Sequence, residues 1–454
     1  MNQLPKGLKQ TTLALSITAL ASPAFSQAEP GAVGTLSFSQ GLEVSDNPTL
    51  SALSSDTVIT SRTALGFGYR SETTTQVFTF DIGAEYVKDF DSSSTDDSEI
   101  ENANARVEYT RENANSLFSL FAAYRESELE DEVVATGIGS DVLVIDSGTL
   151  KVSSAGIRYE LGTDESPFGL NFGIEYSDRD YTDTVDPDLE DTQVLSVDAL
   201  ARFQISPTTA VRARVGQTRE DQEDATDTQI TDTYYGLGLE GETGGGISYT
   251  ADVLFDETET DDGAVTSEDG VGIELSVVQD RNNGSIGATV TSRIDESGRR
   301  TAASIRRDIE LALGGLGFSI GVVDQEDDDS LRYTAGLDYT RETRRGLFTA
   351  SLSQTPGTSD GDAFLNTEFS LNYSADINDV SGWSAGVSYF EANELSGTDD
   401  DSRTSASIAY RRDITDEWGM NAGLTHTRVD EAGVGDRSRN TLFFNVQRDI
   451  SFGF

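Results

Sequence analysis

Between residues 32 and 454 the chain repeats one pattern about twenty-two times: apolar residues at every second position for roughly 8 to 12 residues, then a turn. No other feature restricts the fold as strongly. A ribbon with one apolar and one polar face, repeated without helical interruption, can turn its apolar side to lipid only by closing on itself. An open edge would leave backbone N–H and C=O groups unpaired in hydrocarbon. The alternation is clean in Phe78, Phe80, Ile82, Ala84 and Tyr86, in Phe168, Leu170, Phe172, Ile174 and Tyr176, and in Phe369, Leu371, Tyr373, Ala375 and Ile377. It is weaker around Ala213, Ala288 and Ala350. The expected fold is all-β: a single transmembrane antiparallel up-and-down β-barrel of about 22 strands, within a range of about 18 to 24.

The connectors alternate as well. After even-numbered strands they are short, as at residues 111–115, 206–208 and 279–284; after odd-numbered strands they are expected to be longer and acidic, as at 126–147, 178–191 and 218–231. Outer-membrane barrels have short periplasmic turns and long external loops, so the pattern orients the chain as well as folding it.

The first residues read as an address. Lys6 and Lys9 supply a positive end, an apolar run follows to Ala21, and Ala24, Phe25 and Ser26 form a small-x-small cleavage site. This divides the chain into a secretory signal peptide, 1–26, and a barrel, 27–454. Cleavage changes the formal charge from -48 to -48 - 2 = -50. Phosphate backbones are repelled by such a surface, which excludes nucleic acid as a partner. The Cys count of 0 excludes disulfide frameworks, zinc–thiolate sites and thiol catalysis. Hydrophobic content of 36% would suit a disordered acidic chain, but 21 Phe and 15 Tyr fall in register with the period. No stretch after the signal reaches the roughly 18 apolar residues of a membrane helix, so insertion is expected through strands.

The chain closes with Leu442, Phe444, Val446, Arg448, Ile450, Phe452 and Phe454 on one face. This resembles the carboxy-terminal signal that outer-membrane barrels present to the barrel assembly machinery, and the whole chain resembles the β-barrel porin families of Gram-negative proteobacteria. The resemblance implies an outer-membrane location, contact with membrane lipid and lipopolysaccharide, and hydrophilic solutes as cargo. The segment Val446 to Ile450, aligned with Tyr410 to Ile414, should already be turning, so the last strand is expected to run unusually long or to end before Phe454.

If the apolar parity faces lipid, the other parity lines the interior. Its charged candidates are Arg62, Arg106, Glu108, Arg125, Arg158, Glu160, Glu175, Arg202, Arg212, Arg214, Asp252, Glu274, Arg332, Asp338, Glu368 and Arg411. Both signs occur, which describes a hydrated wall without a single-sign filter. Many inward positions are glycine, among them Gly68, Gly236, Gly238, Gly272, Gly386 and Gly423. These either relieve curvature or widen the passage, and curvature is favoured. Barrels of about 22 strands enclose a lumen that known transporters plug. The first strand here begins within a few residues of the cleavage site, so no plug domain is expected, nor a TonB-dependent receptor. Residues 126–147, with Val142, Leu143, Val144 and Ile145 at their centre, are the candidate for a loop folding into the lumen.

A smaller repeat ends several downward strands: Tyr109 with Arg111 and Glu112, Ile305 with Arg307 and Asp308, Tyr339 with Arg341 and Glu342, Tyr410 with Arg412 and Asp413, Val446 with Arg448 and Asp449. Each Arg has lipid-side parity, where it either meets headgroup phosphates or pairs with an acid to close a turn. Acid runs such as Asp261 and Asp262 suit solvated loops better than a built cation site, because none has the ligand spacing of a calcium loop. The single histidine, His426, has lipid-side parity and no Ser two residues on, where Arg428 stands, so catalysis is not expected. No cofactor or metal motif appears. The expected function is a porin-like channel for passive diffusion or export of hydrophilic solutes, polysaccharide being the specific variant. The alternative is a non-conducting barrel whose acidic loops bind ions, glycans or partners.

Overall fold

The computed structural model describes residues 31–48, 50, 57–90, 98–129, 134–135, 141–142, 148–163, 166–184, 189–295, 298–326, 331–359, 362–394, 400–431 and 435–453. Segment 1–26, residues 143–147 and Phe454 lie outside them.

The strands are β1 (Gly31–Asp46), β2 (Thr57–Glu72), β3 (Gln76–Phe90), β4 (Ser98–Asn113), β5 (Ser116–Glu128), β6 (Val134–Ala135), β7 (Asp141–Val142), β8 (Thr149–Leu161), β9 (Phe168–Thr182), β10 (Thr192–Ser206), β11 (Thr209–Gln222), β12 (Gln229–Thr243), β13 (Ile247–Asp261), β14 (Val265–Arg281), β15 (Gly284–Asp295), β16 (Gly298–Leu311), β17 (Gly314–Gln325), β18 (Arg332–Glu342), β19 (Gly346–Ser359), β20 (Asp362–Asn378), β21 (Ser381–Glu394), β22 (Asp400–Asp413), β23 (Trp418–Glu431) and β24 (Gly435–Gly453). Twenty-two of them form one sheet in which each pairs antiparallel with its chain neighbours, and β24 closes the ring on β1 from Val33 opposite Gly453 to Asp46 opposite Asn440. The short strands β6 and β7 pair only with each other, within the segment expected to fold inward. The weak stretches around Ala213, Ala288 and Ala350 are full strands, β11, β15 and β19.

The polarity is inverted relative to a water-soluble protein. Along β13, Asp252 and Asp256 are each 2% exposed while Val253, between them, is 57% exposed. Register carries this inversion round the ring, pairing outward Phe38 with Leu65, Leu237 with Val253, and Leu424 with Leu442. Apart from isolated approaches, described strands touch ring neighbours, with β13 also reaching β15. The cross-section is therefore a cylinder and not a two-layer sandwich. With strands about 4.8 Å apart and tilted about 40°, twenty-two of them give a backbone diameter of roughly 44 Å.

Most ring strands run longer than the expected 8 to 12 residues, up to 19 in β24, while β15, β17 and β18 stay within it at 12, 12 and 11. On β13 the outward residues are Tyr249, Ala251, Val253 and Phe255, followed by Glu257, Glu259 and Asp261. The apolar band matches the roughly 9 to 11 residues that cross a bilayer, and the ladder then continues into water, where both faces are polar. The alternation stops where lipid stops, but the backbone pairing does not. This shortens the expected long loops: 218–231 is mostly strand, leaving 223–228 as its connector, and β13 joins β14 through 262–264. The short-turn end agrees with expectation, with connectors such as 114–115, 207–208 and 282–283.

Aromatic pairs flank these short turns. Tyr69 and Phe78 lie 6.1 Å apart, Tyr109 and Phe118 6.3 Å, Tyr339 and Phe348 5.8 Å, and Tyr373 and Trp383 5.2 Å between ring centroids. They form an interfacial girdle, the place for rings that are apolar in body and polar at one edge. The closing strand resolves the question of its own length. Arg448 and Ile450 do not turn but remain in β24, opposite Phe38 and Leu36 of β1.

Candidate functional site

Register places all sixteen expected charged residues on the face opposite the apolar one. It brings five of them, Arg202, Arg212, Arg214, Asp252 and Glu274, into a single ladder across β10 to β15, joined by Glu240, Asp256 and Arg293. The ladder begins with a conflict. Arg202 and Arg212 are direct cross-strand partners, as are Asp252 and Glu274, and like charges placed opposite each other repel.

Each conflict is settled by an opposite charge from another strand. Glu240 takes Arg202 through Oε1 and Arg212 at 3.6 Å through Oε2. Arg214 Nη1 reaches Asp252 at 3.2 Å and Glu274 at 2.5 Å. Arg293 extends the chain to Glu274 at 2.5 Å and to Asp256 at 3.0 Å. Four guanidinium groups meet four carboxylates, 4 − 4 = 0, so the wall is richly charged and locally neutral. Tyr234 lies beneath, its ring centroid 5.5 Å from the guanidinium carbon of Arg214 and 5.1 Å from that of Arg293, a geometry in which the ring face attracts both cations.

Glycine makes the ladder possible. Arg212, Gly238 and Asp252 stand in one row across three strands, and Arg212 Nη2 passes over Gly238 to reach Asp252 at 3.5 Å. A Cβ on Gly238 would collide with the Asp252 carboxylate, one on Gly272 with Asp256, and one on Gly216 would come within 2.5 Å of the Tyr234 ring. The space these glycines leave is filled by neighbouring side chains lying flat along the wall. At these positions they do not widen the passage.

Arg62 is the centre of a second cluster. It lies 3.5 Å from Glu43, 3.5 Å from Glu85 and 3.1 Å from Glu101, one cation against three carboxylates near the loop end of β1 to β4. The remaining expected residues are dispersed. Arg106 pairs with Glu108 at 3.0 Å, Arg158 with Glu160 at 3.9 Å, Asp338 with Arg306 at 2.9 Å, and Arg411 with Asp376 at 2.7 Å. Arg125, Glu175, Arg332 and Glu368 share the inward parity but stand apart from the ladder.

The wall from β19 to β23 is of another kind. Ser351, Ser370, Ser388, Ser405 and Thr427 form one register row across five strands, and Ser351 meets Ser370 hydroxyl to hydroxyl at 2.7 Å. Half the ring, eleven of twenty-two strands, separates β10 from β21, β11 from β22 and β12 from β23.

Outside the interior, His426 sits on the lipid side with Nδ1 2.9 Å from Asn440 Oδ1. Asp261 and Asp262 accept hydrogen bonds from the backbone N–H groups of Gly263 and Ala264, each at 3.2 Å, and so cap their own turn. Among the described residues no group of three or more His, Cys, Asp or Glu side chains has metal-holding geometry.

Inverted burial, a closed antiparallel ring and an interfacial aromatic girdle define the class: a transmembrane β-barrel of the outer-membrane type. No protein-family profile matches the chain, and no curated protein does. Solved structures do match it. A FrpB iron transporter from Neisseria meningitidis superposes with a TM-score of 0.62 at 9% identity, over 93% of this chain and 82% of that one. A ferric enterobactin receptor from Pseudomonas aeruginosa, in complex with enterobactin, gives 0.56 at 8% identity over 94% and 82%. The siderophore receptor PirA from Pseudomonas aeruginosa gives 0.53 at 7% identity over 94% and 81%. Identities this low carry the fold alone, and these names lend no support to the resemblance to porin families.

Proposed function

We propose that the protein is an outer-membrane channel through which hydrophilic solutes diffuse in water held by the barrel. The observation that carries this reading is the inverted burial along β13, with Asp252 and Asp256 enclosed and Val253 turned outward. A polar interior held in a ring of this size is a hydrated space unless something fills it. Polysaccharide export is the narrower variant; it loses one of its supports, since Gly216, Gly238 and Gly272 are covered by neighbouring side chains.

Export through a cleaved signal peptide, assembly through the last strand, contact with lipid and lipopolysaccharide, the absence of a plug and the absence of catalysis all belong to the same proposal. Planar-bilayer recording of the purified full chain tests it. Stepwise openings with a linear current–voltage relation are expected, and an electrically silent protein that is folded and inserted sinks it. The second reading, a non-conducting barrel used as a platform, draws on the acidic strand ends beyond the bilayer, Glu257, Glu259 and Asp261 on β13. It predicts silent bilayers together with binding of ions or glycans that is lost when these ends are neutralised. What the iron and siderophore receptors bind would enter only as a third outcome: saturable binding of a ferric chelate.

A further inference from the structure

The Tyr-x-Arg-acid repeat sorts its charges by face. At the short-turn end the outward positions hold Arg111, Arg281, Arg307, Arg341, Arg412 and Arg448, and among the described strand residues there no outward position holds an acid. The acids beside them, such as Glu112, Asp308, Glu342 and Asp413, have inward parity. In a chain with 80 acidic and 32 basic residues, a purely basic ring is far from the average composition. At the opposite end the outward face is dominated by acid, as in Asp178, Asp180, Glu257, Glu259 and Asp261.

The arginines have two employments. Arg307 donates to Ser285 O and to Asn283 Oδ1, each at 2.7 Å, and Arg448 pairs with Glu417 over the Trp418 ring, so these two brace a neighbouring turn. Arg111, Arg281, Arg341 and Arg412 are exposed and have no hydrogen-bond or ion-pair partner among the described residues. Three of these follow a girdle tyrosine by two positions, Tyr109, Tyr339 and Tyr410. Two residues along a strand advance about 6.6 Å, which carries a guanidinium from the ring level to the headgroup level.

We propose that this ring is a binding belt for the phosphate groups of anionic phospholipid in the leaflet at the short-turn end. The belt rests on the membrane-spanning reading but not on the channel being open. The guanidinium fork matches phosphate geometry, and its stem lies along the apolar band. With lipid present, the four free cations are neutralised by headgroups, and the barrel is held at a fixed depth between a basic rim and an acidic one.

The test uses the full chain reconstituted in vesicles of phosphatidylcholine with phosphatidylglycerol, released into detergent, with retained lipid counted by native mass spectrometry. The wild type is expected to keep phosphatidylglycerol over phosphatidylcholine by at least about fivefold, the worth of one arginine at an anionic surface. Combined Arg111→Gln, Arg281→Gln, Arg341→Gln and Arg412→Gln should bring the preference to near parity. A control with the inward Arg70→Gln and Arg306→Gln should keep it. Heat-modifiable migration on gels verifies that each variant is folded. Absence of preference in the wild type, or an unchanged preference in the fourfold variant, overturns the belt. Bilayer recording of the same samples separates the claims: selective lipid retention by a silent barrel sinks the channel and leaves the belt standing.

Discussion

The two interior walls solve the same problem by opposite means. From β10 to β15 the barrel encloses full charges and cancels them pairwise in an eight-membered ladder; from β19 to β23 the middle of the wall is a row of hydroxyls that need only one another or water, with the Arg411–Asp376 pair nearer the short turns. The ladder is strong only as a unit, because each buried ion relies on partners two or three strands away. The hydroxyl wall is composed of weak, interchangeable contacts.

Asp252→Ala separates the walls most sharply. It leaves Arg212 and Arg214 without a carboxylate they share, and removing one partner of a buried ion pair costs about 3 to 5 kcal/mol. Ser388→Ala in the facing wall should cost less than about 1 kcal/mol, the net worth of an ordinary hydrogen bond. Urea unfolding in lipid vesicles, followed by tryptophan fluorescence, measures both. Equal losses would mean that the ladder is not cooperative.

Glycine sharpens the same contrast at smaller amplitude. Gly238→Ala pushes a Cβ into the Asp252 carboxylate, and overpacking of this kind costs about 1 to 3 kcal/mol. At Gly386 a Cβ would come within 2.6 Å of Asn372 Oδ1, the free end of a side chain that can turn away, so Gly386→Ala should be tolerated within about 0.5 kcal/mol. Matched unfolding midpoints for the two variants would remove the claim that glycine seats the ladder.

The ring and its strand order were readable because one period, repeated, has few physical solutions, and the weak stretch at Ala288 still fell into place as β15 between better ones. The ladder was only half readable. Parity put Arg212, Arg214 and Asp252 on the inner face, but register across six strands decides who meets whom, and register depends on turns and bulges that no local pattern encodes. Arg293 was missed for a related reason: it lies on β15, where alternation is faint. Tyr234 and the serine row carried no charge to draw attention, although Ser370, Ser388 and Ser405 share the inward parity. Strand ends were misjudged because hydropathy reports the edge of the bilayer and not the end of the ladder.

Ion selectivity compares the walls through what they leave uncancelled. The ladder pairs its charges one to one, whereas in the Arg62 cluster carboxylates outnumber the one guanidinium, so cation preference should come from Glu43, Glu85 and Glu101. Glu85→Gln with Glu101→Gln should reduce the cation-to-anion permeability ratio about twofold at 0.1 M salt, where the Debye length is about 10 Å, and change it little at 1 M, where it is about 3 Å. Reversal potentials across a salt gradient decide this. A larger loss of cation preference on replacing Glu274 by Gln instead would place the filter on the ladder.

The smallest effect lies outside the lumen, in a turn that joins the chemistry of both walls. Asp224, in the connector 223–228, is a charge like those of the ladder but is satisfied as the serine row is, by neutral donors. Thr226 and Thr228 each donate a backbone N–H and a hydroxyl to its carboxylate, at 2.9, 2.9, 2.8 and 2.5 Å. Partial burial raises the pKa of this group, and the four hydrogen bonds outweigh that, holding it at about 2 against an ordinary 3.8. A depressed carboxylate contributes order that is complete above its unfolded pKa and is lost as pH falls through the folded one. Amide exchange at Thr226 and Thr228, corrected for intrinsic rates, should therefore be protected at pH 5, begin to lose protection below about 3.8 and be unprotected near pH 1.5, whereas Asp224→Ala should exchange freely throughout. Protection that survives at pH 1.5 would mean that the β11 and β12 ladders, and not the carboxylate, hold this turn.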